Sequence, residues 1–126
     1  MLGDRDAIAT VAVKDLEAAK GFYSGKLGLE ENSAEEPEVL SYRSGGSSLL
    51  VYKSQYAGTN QATAVTWQVD DVPELVRDLK AKGVEFEHYD MPDTRREGDV
   101  HLAGDLKLAW FKDPDGNILA VFSNGA

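Results

Sequence analysis

The chain of 126 residues has no cysteine, a shortage of basic residues and no long apolar run. The missing cysteine excludes disulfides, thiolate metal sites and cysteine nucleophiles. No stretch approaches the roughly 20 apolar residues that a membrane helix needs, so we predict no contact with a membrane. The polar start Met1–Asp6 shows no signal peptide, and a chain without disulfides suits a reducing compartment, so we predict a cytoplasmic protein.

The charge balance excludes another class of partner. The 13 Lys and Arg residues are outnumbered by 22 Asp and Glu residues, which gives a formal net charge of −9 at pH 7. Such a surface repels phosphates, so we predict no nucleic-acid partner. It would attract a cationic compound, although acidity alone is also typical of proteins that need only to stay in solution.

An internal repeat organises what is present. The pattern of "VAVKDLEAAKGFY" returns as "WQVDDVPELVRDL" about 55 residues later, which is typical of a duplicated supersecondary unit. The length favours one domain over 1–126. We predict a first module at about 7–53 and a second at about 62–123. Each would contain a strand, a helix and three further strands.

Local signals place the elements of the two modules. Asp15 and Asp71 are expected to cap the two helices, which Gly28 and Gly83 would end. Gly45-Gly46 is typical of a hairpin turn. The predicted strands are Ala7–Val13, Val39–Ser44, Ser47–Lys53, Ala64–Val69, Val84–Tyr89, Leu106–Phe111 and Ile118–Ser123. The turn at 113–117 joins the last two. The charged stretch Asp90–Gly104 is interpreted as a loop, either a lid or a mobile surface loop.

Three stretches together carry a family resemblance. These are "VAVKDLEAAKGFYSGKLGLE", "WQVDDVPELVRDLKAKGVEF" and "AWFKDPDGNILAVF". They resemble the vicinal-oxygen-chelate superfamily of glyoxalases, bleomycin-resistance proteins and extradiol dioxygenases. The resemblance implies an α+β fold of paired βαβββ modules. Their mixed sheet would curl into a cup that holds the ligand, with the helices on the outside. It also implies a homodimer.

The metal site of that superfamily is where this sequence departs from it. Counting from Asp15, the hairpin and Gly116, the positions that usually carry the metal ligands hold Ile8, Leu50, Ala64 and Ala120. Hydrocarbon side chains cannot donate a lone pair to a metal, so we predict neither metal nor other cofactor. His88 and His101 stay open as a relocated site with Asp90, Asp99 or Glu97, or as two surface histidines.

Strand alternation from those four positions predicts the lining of the cup. The candidate ligand-binding residues are Thr10, Leu50, Tyr52, Thr66, Gln68, Trp110 and Phe122. Trp110 would stack on a flat ligand or simply fill core space. Tyr42, Tyr56 and Tyr89 are further candidates for the rim. The opposite faces, with Val11, Val13, Val65, Trp67, Val69, Leu119 and Val121, should pack under the helices.

These residues favour binding over catalysis. We predict a protein that binds a small molecule, as bleomycin-resistance proteins do, with an apolar or aromatic compound, neutral or cationic, as ligand. No serine–histidine pair and no inward carboxylate pair can be argued, so no catalytic residue is assigned. A metal-dependent glyoxalase, lyase or extradiol dioxygenase with relocated ligands is the alternative. A non-catalytic dimer that acts through protein contacts is the third hypothesis.

Overall fold

The computed structural model describes residues 1–32 and 37–124. The first half of the chain forms a four-stranded sheet in the order β1-β4-β3-β2. Its strands are β1 (Ala9–Val13), β2 (Glu30–Glu31), β3 (Val39–Ser44) and β4 (Ser47–Lys53). Strand β1 runs parallel to β4, and the other pairs are antiparallel. The β3–β4 hairpin turns at Gly45-Gly46, which confirms the prediction.

The first helix begins and ends where predicted, but its hydrogen-bond spacing changes partway along. Helix α1 (Leu16–Lys20) begins at Asp15, whose carboxylate accepts the N–H groups of Glu17 and Ala18. A π-helical segment, Gly21–Lys26, continues it, and Gly28 ends it with a positive φ of 75°. Both Phe22 and Tyr23 are buried in this segment. They lie three and four residues after buried Ala19, so the helical spacing of the apolar residues predicts this buried face.

The second half forms a six-stranded sheet in the order β5-β10-β9-β8-β7, with β6 also paired to β9. Its strands are β5 (Thr63–Gln68), β6 (Phe86–Glu87), β7 (Arg95–Glu97), β8 (Val100–Ala103), β9 (Leu106–Lys112) and β10 (Ile118–Asn124). Helix α2 (Val72–Ala81) begins at Asp71, which accepts the Glu74 N–H, and buries a stripe of Val72, Val76 and Leu79. The capping prediction is confirmed.

The stretch Asp90–Gly104 contains a β-hairpin, so its interpretation as a loop is wrong. Strands β7 and β8 pair across a turn where Gly98 has a φ of 61°. Val100 is buried, and Leu102 packs against the core. These apolar residues are surrounded by charged ones, so the composition of the whole stretch does not indicate a strand. Strand β8 is stabilised by its pairing with β9.

One core holds the two sheets and both helices together. The residues predicted to pack under the helices belong to it, with Val11, Val13, Leu119 and Val121 fully buried and Val65, Trp67 and Val69 partly buried. Tyr42 is also fully buried, so its placement at the rim is wrong. In residues 1–32 and 37–124, no helix combines the length and the apolar character needed to cross a membrane.

The turn between β9 and β10 joins the two halves of the molecule. Buried Asp113 accepts the Tyr23 hydroxyl at 2.8 Å, and the Asn117 side chain donates to Asp113 at 2.8 Å and to the Ala12 carbonyl at 2.7 Å. Burial, followed by the Asp113 charge, raises the pKa of Tyr23 far above its usual value. Strand β1, the edge of the first sheet, lies beside β5, the edge of the second.

Candidate functional site

The two sheets turn one face toward the core; we call the opposite one the open face. In the second sheet, strand pairing places four side chains of the open face in a row. Glu87 pairs with Trp110, Trp110 with Ala120, and Ala120 with Thr66. Residues directly opposite each other on paired strands share a face. Because Phe111 is buried in the core, its neighbour Trp110 lies on the open face.

A second row runs parallel to the first. His101 pairs with Leu108, Leu108 with Phe122, and Phe122 with Gln68. The two rows bring together four of the predicted ligand-binding residues, which are Thr66, Gln68, Trp110 and Phe122. This part of the open face is therefore aromatic and apolar, with an amide and a hydroxyl on β5.

Trp110 lies at the centre of an aromatic cluster on this face. Its ring makes edge-to-face contacts with Tyr89, at a centroid distance of 5.3 Å, and with His101, at 4.8 Å. The indole N–H donates to the Thr63 hydroxyl at 3.2 Å. These contacts hold the ring in place, while its half-buried state leaves part of the indole accessible. A fixed, partly exposed indole is a surface on which a flat ligand can stack.

His101 is buried, so its prediction as a surface residue is wrong. Only 1% of its surface is exposed. The Tyr89 backbone N–H donates to Nε2 at 3.0 Å, so the neutral ring carries its proton on Nδ1. Burial lowers the pKa of His101, against the opposing effect of the nearby Leu108 carbonyl. Nδ1 and the buried Tyr89 hydroxyl make no hydrogen bond of normal geometry with any described residue.

The first sheet carries the other predicted ligand-binding residues. Thr10 pairs with Leu50, and Leu50 with Ser41, so these three side chains form a row on the open face. Tyr52 lies two residues beyond Leu50 and is 38% exposed, and Ile8 before β1 is 49% exposed. Among the described residues, no hydrogen bond joins this row to the aromatic cluster. The predicted residues thus form two groups, one on each sheet.

The side chains at the four family metal positions do not fit a metal ion. Leu50 and Ala120 lie on the open face. Ile8, just before β1, and Ala64, within β5, are both exposed. None has a donor atom. Among residues 1–32 and 37–124, no group of three or more His, Asp or Glu side chains is arranged to hold a metal.

The remaining histidine lies in a surface network. Asp99 contacts His88 Nε2 at 2.7 Å and accepts from Lys80 Nζ at 2.6 Å. The hydrogen bond from Lys80, and then that from His88, lowers the pKa of Asp99. The rings of His88 and His101 lie 6.5 Å apart. Because the Nε2 atoms of both rings already have partners, the pair resembles a structural network more than a relocated metal site.

Sequence reasoning missed three residues beside Trp110. Glu87 forms an ion pair with Lys112 at 3.3 Å, and His101 lies against the indole. Stepping by two along β9 from Trp110 reaches Lys112, so that residue could have been found. The positions of Glu87 and His101 beside Trp110 follow from the pairing of β6 and β8 with β9. The sequence carries no local signal for that pairing, so these two residues could not have been found.

The open face offers hydrogen bonding, stacking and ion pairs, among them Glu87–Lys112 on the second sheet and Glu30–Arg43 on the first. In the part of the chain described, no serine or threonine hydroxyl is hydrogen-bonded to a histidine, so no nucleophile–base pair of that kind is formed. These side chains can therefore orient a molecule by stacking and hydrogen bonding, which is the chemistry of a binding site.

Comparison with known proteins agrees with this architecture. The sequence model of the Glyoxalase/Bleomycin resistance protein/Dioxygenase superfamily matches residues 6–121. Comparison with curated proteins gave no match.

Solved structures of similar fold have diverse descriptions. The fosfomycin resistance protein FosX from Listeria monocytogenes superposes with a TM-score of 0.73 at 19% identity, over 98% of this chain and 95% of that one. The lactoylglutathione lyase from Agrobacterium tumefaciens gives 0.70 at 20% identity, over 98% and 96%. TnmS3, an antibiotic binding protein from Streptomyces sp. CB03234, gives 0.69 at 21% identity, over 99% of both chains. Identities this low show a shared fold.

Proposed function

This chain belongs to the Glyoxalase/Bleomycin resistance protein/Dioxygenase superfamily, and on that premise we propose that it binds a small aromatic compound on the open face around Trp110. The observation that carries the proposal is the indole itself, which is partly accessible and held by Tyr89, His101 and Thr63. A ring already fixed in place loses little conformational entropy when a ligand stacks on it.

The net charge of the chain favours an uncharged or cationic ligand over an anionic one. Glu87 is balanced by Lys112, while the whole chain carries a net charge of −9. Thr66 and Gln68 supply neutral hydrogen-bonding groups beside the apolar Ala120 and Phe122. Such a mixture orients a mostly apolar molecule through a few polar contacts. Sequestration is the role that we propose, and among the proteins of similar fold TnmS3 is described as an antibiotic binding protein.

Metal-dependent chemistry receives less support. It needs a Lewis acid to polarise substrate oxygens. The four positions that would supply its ligands carry hydrocarbon side chains, and the two histidines use Nε2 for other contacts.

Fluorescence titration of a single-tryptophan protein tests the binding proposal. Trp67→Phe leaves Trp110 as the only indole, so its emission reports the open face alone. We expect polycyclic aromatic antibiotics to change this emission in a saturable way, and the aliphatic epoxide fosfomycin to leave it unchanged. A folded protein that responds to no member of a broad aromatic panel would contradict the proposal.

Two substitutions at one position separate stacking from general damage. We expect Trp110→Ala to weaken binding about ten-fold, which corresponds to about 1.4 kcal/mol, the upper range of an aromatic pair. Trp110→Phe retains an aromatic ring and should lose less. Isothermal titration calorimetry measures both, and wild-type affinity in both variants would remove Trp110 from the site.

We also propose that two copies assemble into a homodimer through the open face of the first sheet. Ile8 and Tyr52 expose apolar surface there, at 49% and 38% of their areas. Exposed large apolar side chains grouped on one sheet face are typical of a surface that another chain covers.

A further inference from the structure

A cavity lies between the two modules, on the side of the sheets opposite to the open face. Leu27 and Leu29 after the π-helical segment face Trp67 and Val69 at the end of β5, and Leu75 of α2 closes one side. All five side chains are partly exposed, so the cavity opens to solvent. Its walls come from the face of β5 that is opposite to Thr66 and Gln68, so it is separate from the open face.

The chemistry of the walls is apolar with one polar pair. The Trp67 indole N–H donates to Ser44 Oγ at 2.8 Å, which joins β5 to the β3–β4 hairpin. Among the described residues, the Ser44 hydroxyl donates to no partner, so its proton is available to an acceptor in the cavity. None of the described residues that line the space is charged. A charged group inside these walls would therefore lose hydration without compensation, whereas a neutral ring would not.

The size of the cavity limits the occupant to about one ring. The space measures about 170 Å³. A cavity of about 150 Å³ lined by similar side chains is large enough to bind benzene. We propose that this inter-module pocket is a second ligand site, which binds a neutral single-ring aromatic molecule against Trp67. It does not depend on the proposed function, because the two sites lie on opposite faces and each contains its own tryptophan.

Nuclear magnetic resonance of the two indole N–H groups tests the pocket directly. In ¹⁵N-labelled protein, Trp67→Phe and Trp110→Phe assign the two signals. We expect toluene to shift the Trp67 signal to saturation at one molecule per chain. Benzoate has the same ring with a negative charge, and it should leave that signal in place. Any shift of the Trp110 signal concerns the open face alone, so failure of one proposal is distinguishable from failure of the other.

A substitution that fills the pocket with a side chain tests the site, and the same kind of enlargement elsewhere serves as its control. Val69→Phe places a ring in the cavity and should abolish the Trp67 shift, whereas Ile8→Phe makes a similar enlargement on the open face and should retain it. If Val69→Phe does not fold, Val69→Ile adds one methylene and should raise the Kd of toluene about two-fold or more.

Several outcomes would overturn the proposal that this pocket binds a ligand. One is a Trp67 signal that does not move up to the solubility limit of toluene, and another is a shift that persists in the filled variant. An equal response to benzoate would mean that the space does not select neutral rings. If toluene has no effect and Val69→Phe alters the oligomeric state, the pocket is instead part of an interface between copies.

Discussion

At the scale of single residues, His101 shows how one backbone hydrogen bond determines the state of a side chain. Because the Tyr89 N–H donates to Nε2, adding a proton to that atom would break the bond and bury a charge. Both effects oppose protonation of a residue that is 1% exposed. Burial is the largest cause of the lowered pKa of His101, and the charges of nearby Arg96 and His88 lower it further.

The neutral, buried state of His101 predicts that the folded protein loses stability in weak acid. The pKa of His101 is lowered from 6.5, so below pH 6.5 the unfolded chain binds a proton that the folded chain does not. Stability then falls as the pH decreases toward the lowered pKa. We expect a contribution of up to about 1 kcal/mol per pH unit. Urea unfolding at about pH 7.5 and about pH 5.5 measures the free-energy difference.

A variant that does not titrate isolates the histidine. His101→Gln keeps an oxygen acceptor for the Tyr89 N–H and should lose less stability between the two pH values than the wild type. His88→Gln removes a histidine that is 42% exposed and should behave like the wild type. If His101→Gln and the wild type lose the same free energy, the pH dependence comes from other groups.

At the scale of elements, the 113–117 turn acts as a connector as well as a hairpin turn. Asp113 and Asn117 form its internal hydrogen bonds and also contact Tyr23 and the Ala12 carbonyl. On its outer side the Asp115 backbone lies against Gly58, in the segment that links the two sheets. The turn thus fixes the position of the second sheet relative to β1 and the first helix.

The contact at Gly58 predicts a large effect for a single methyl group. A Cβ at Gly58 would lie 2.0 Å from the Asp115 carbonyl oxygen, and Gly58 also has a φ of +74°. We expect Gly58→Ala to destabilise the fold by about 3 kcal/mol or more, from backbone strain and overpacking together. The midpoint and slope of urea unfolding give the free energy.

Gly45 supplies the matched control for that substitution. It has a φ of +57°, but nothing lies within 4 Å of its added Cβ. Gly45→Ala should therefore cost only the strain of the left-handed conformation, about 1 kcal/mol. Similar losses for the two variants would mean that the contact with Asp115 contributes nothing.

The elements differ in how well the sequence predicts them. Those determined by residues next to one another in the sequence are predicted, and those determined by pairing between distant strands are not. The α2 cap at Asp71 and the Gly45-Gly46 turn depend on residues next to them, and both were predicted. The β7–β8 hairpin depends on pairing with β9, so it was read as a loop. The apolar pattern after Asp15 predicts a helix, but it does not distinguish α-helical from π-helical hydrogen bonding after Lys20.

At the scale of the whole molecule, the family and the paired-module fold were predicted, while the candidate site was predicted in part. Period-two alternation correctly separated the core-facing residues from those of the open face. It could not show that Trp110 gathers Tyr89, His101 and Glu87 around it, because those neighbours come from strands far apart in sequence. Nor could it show a cavity that requires both modules to be in place.

The open face of the first sheet leads to the last prediction, which concerns assembly. If two copies cover each other there, a charge at Ile8 would be buried twice in a symmetric pair. We expect Ile8→Glu to raise the dimer dissociation constant about ten-fold or more, because each copy loses the burial of an isoleucine side chain. Leu2→Glu changes another exposed apolar residue, at the chain terminus, and should have little effect. Sedimentation equilibrium measures both constants. A wild type that stays monomeric at high concentration would refute the homodimer, and the open face would then have to bind its ligand within a single chain.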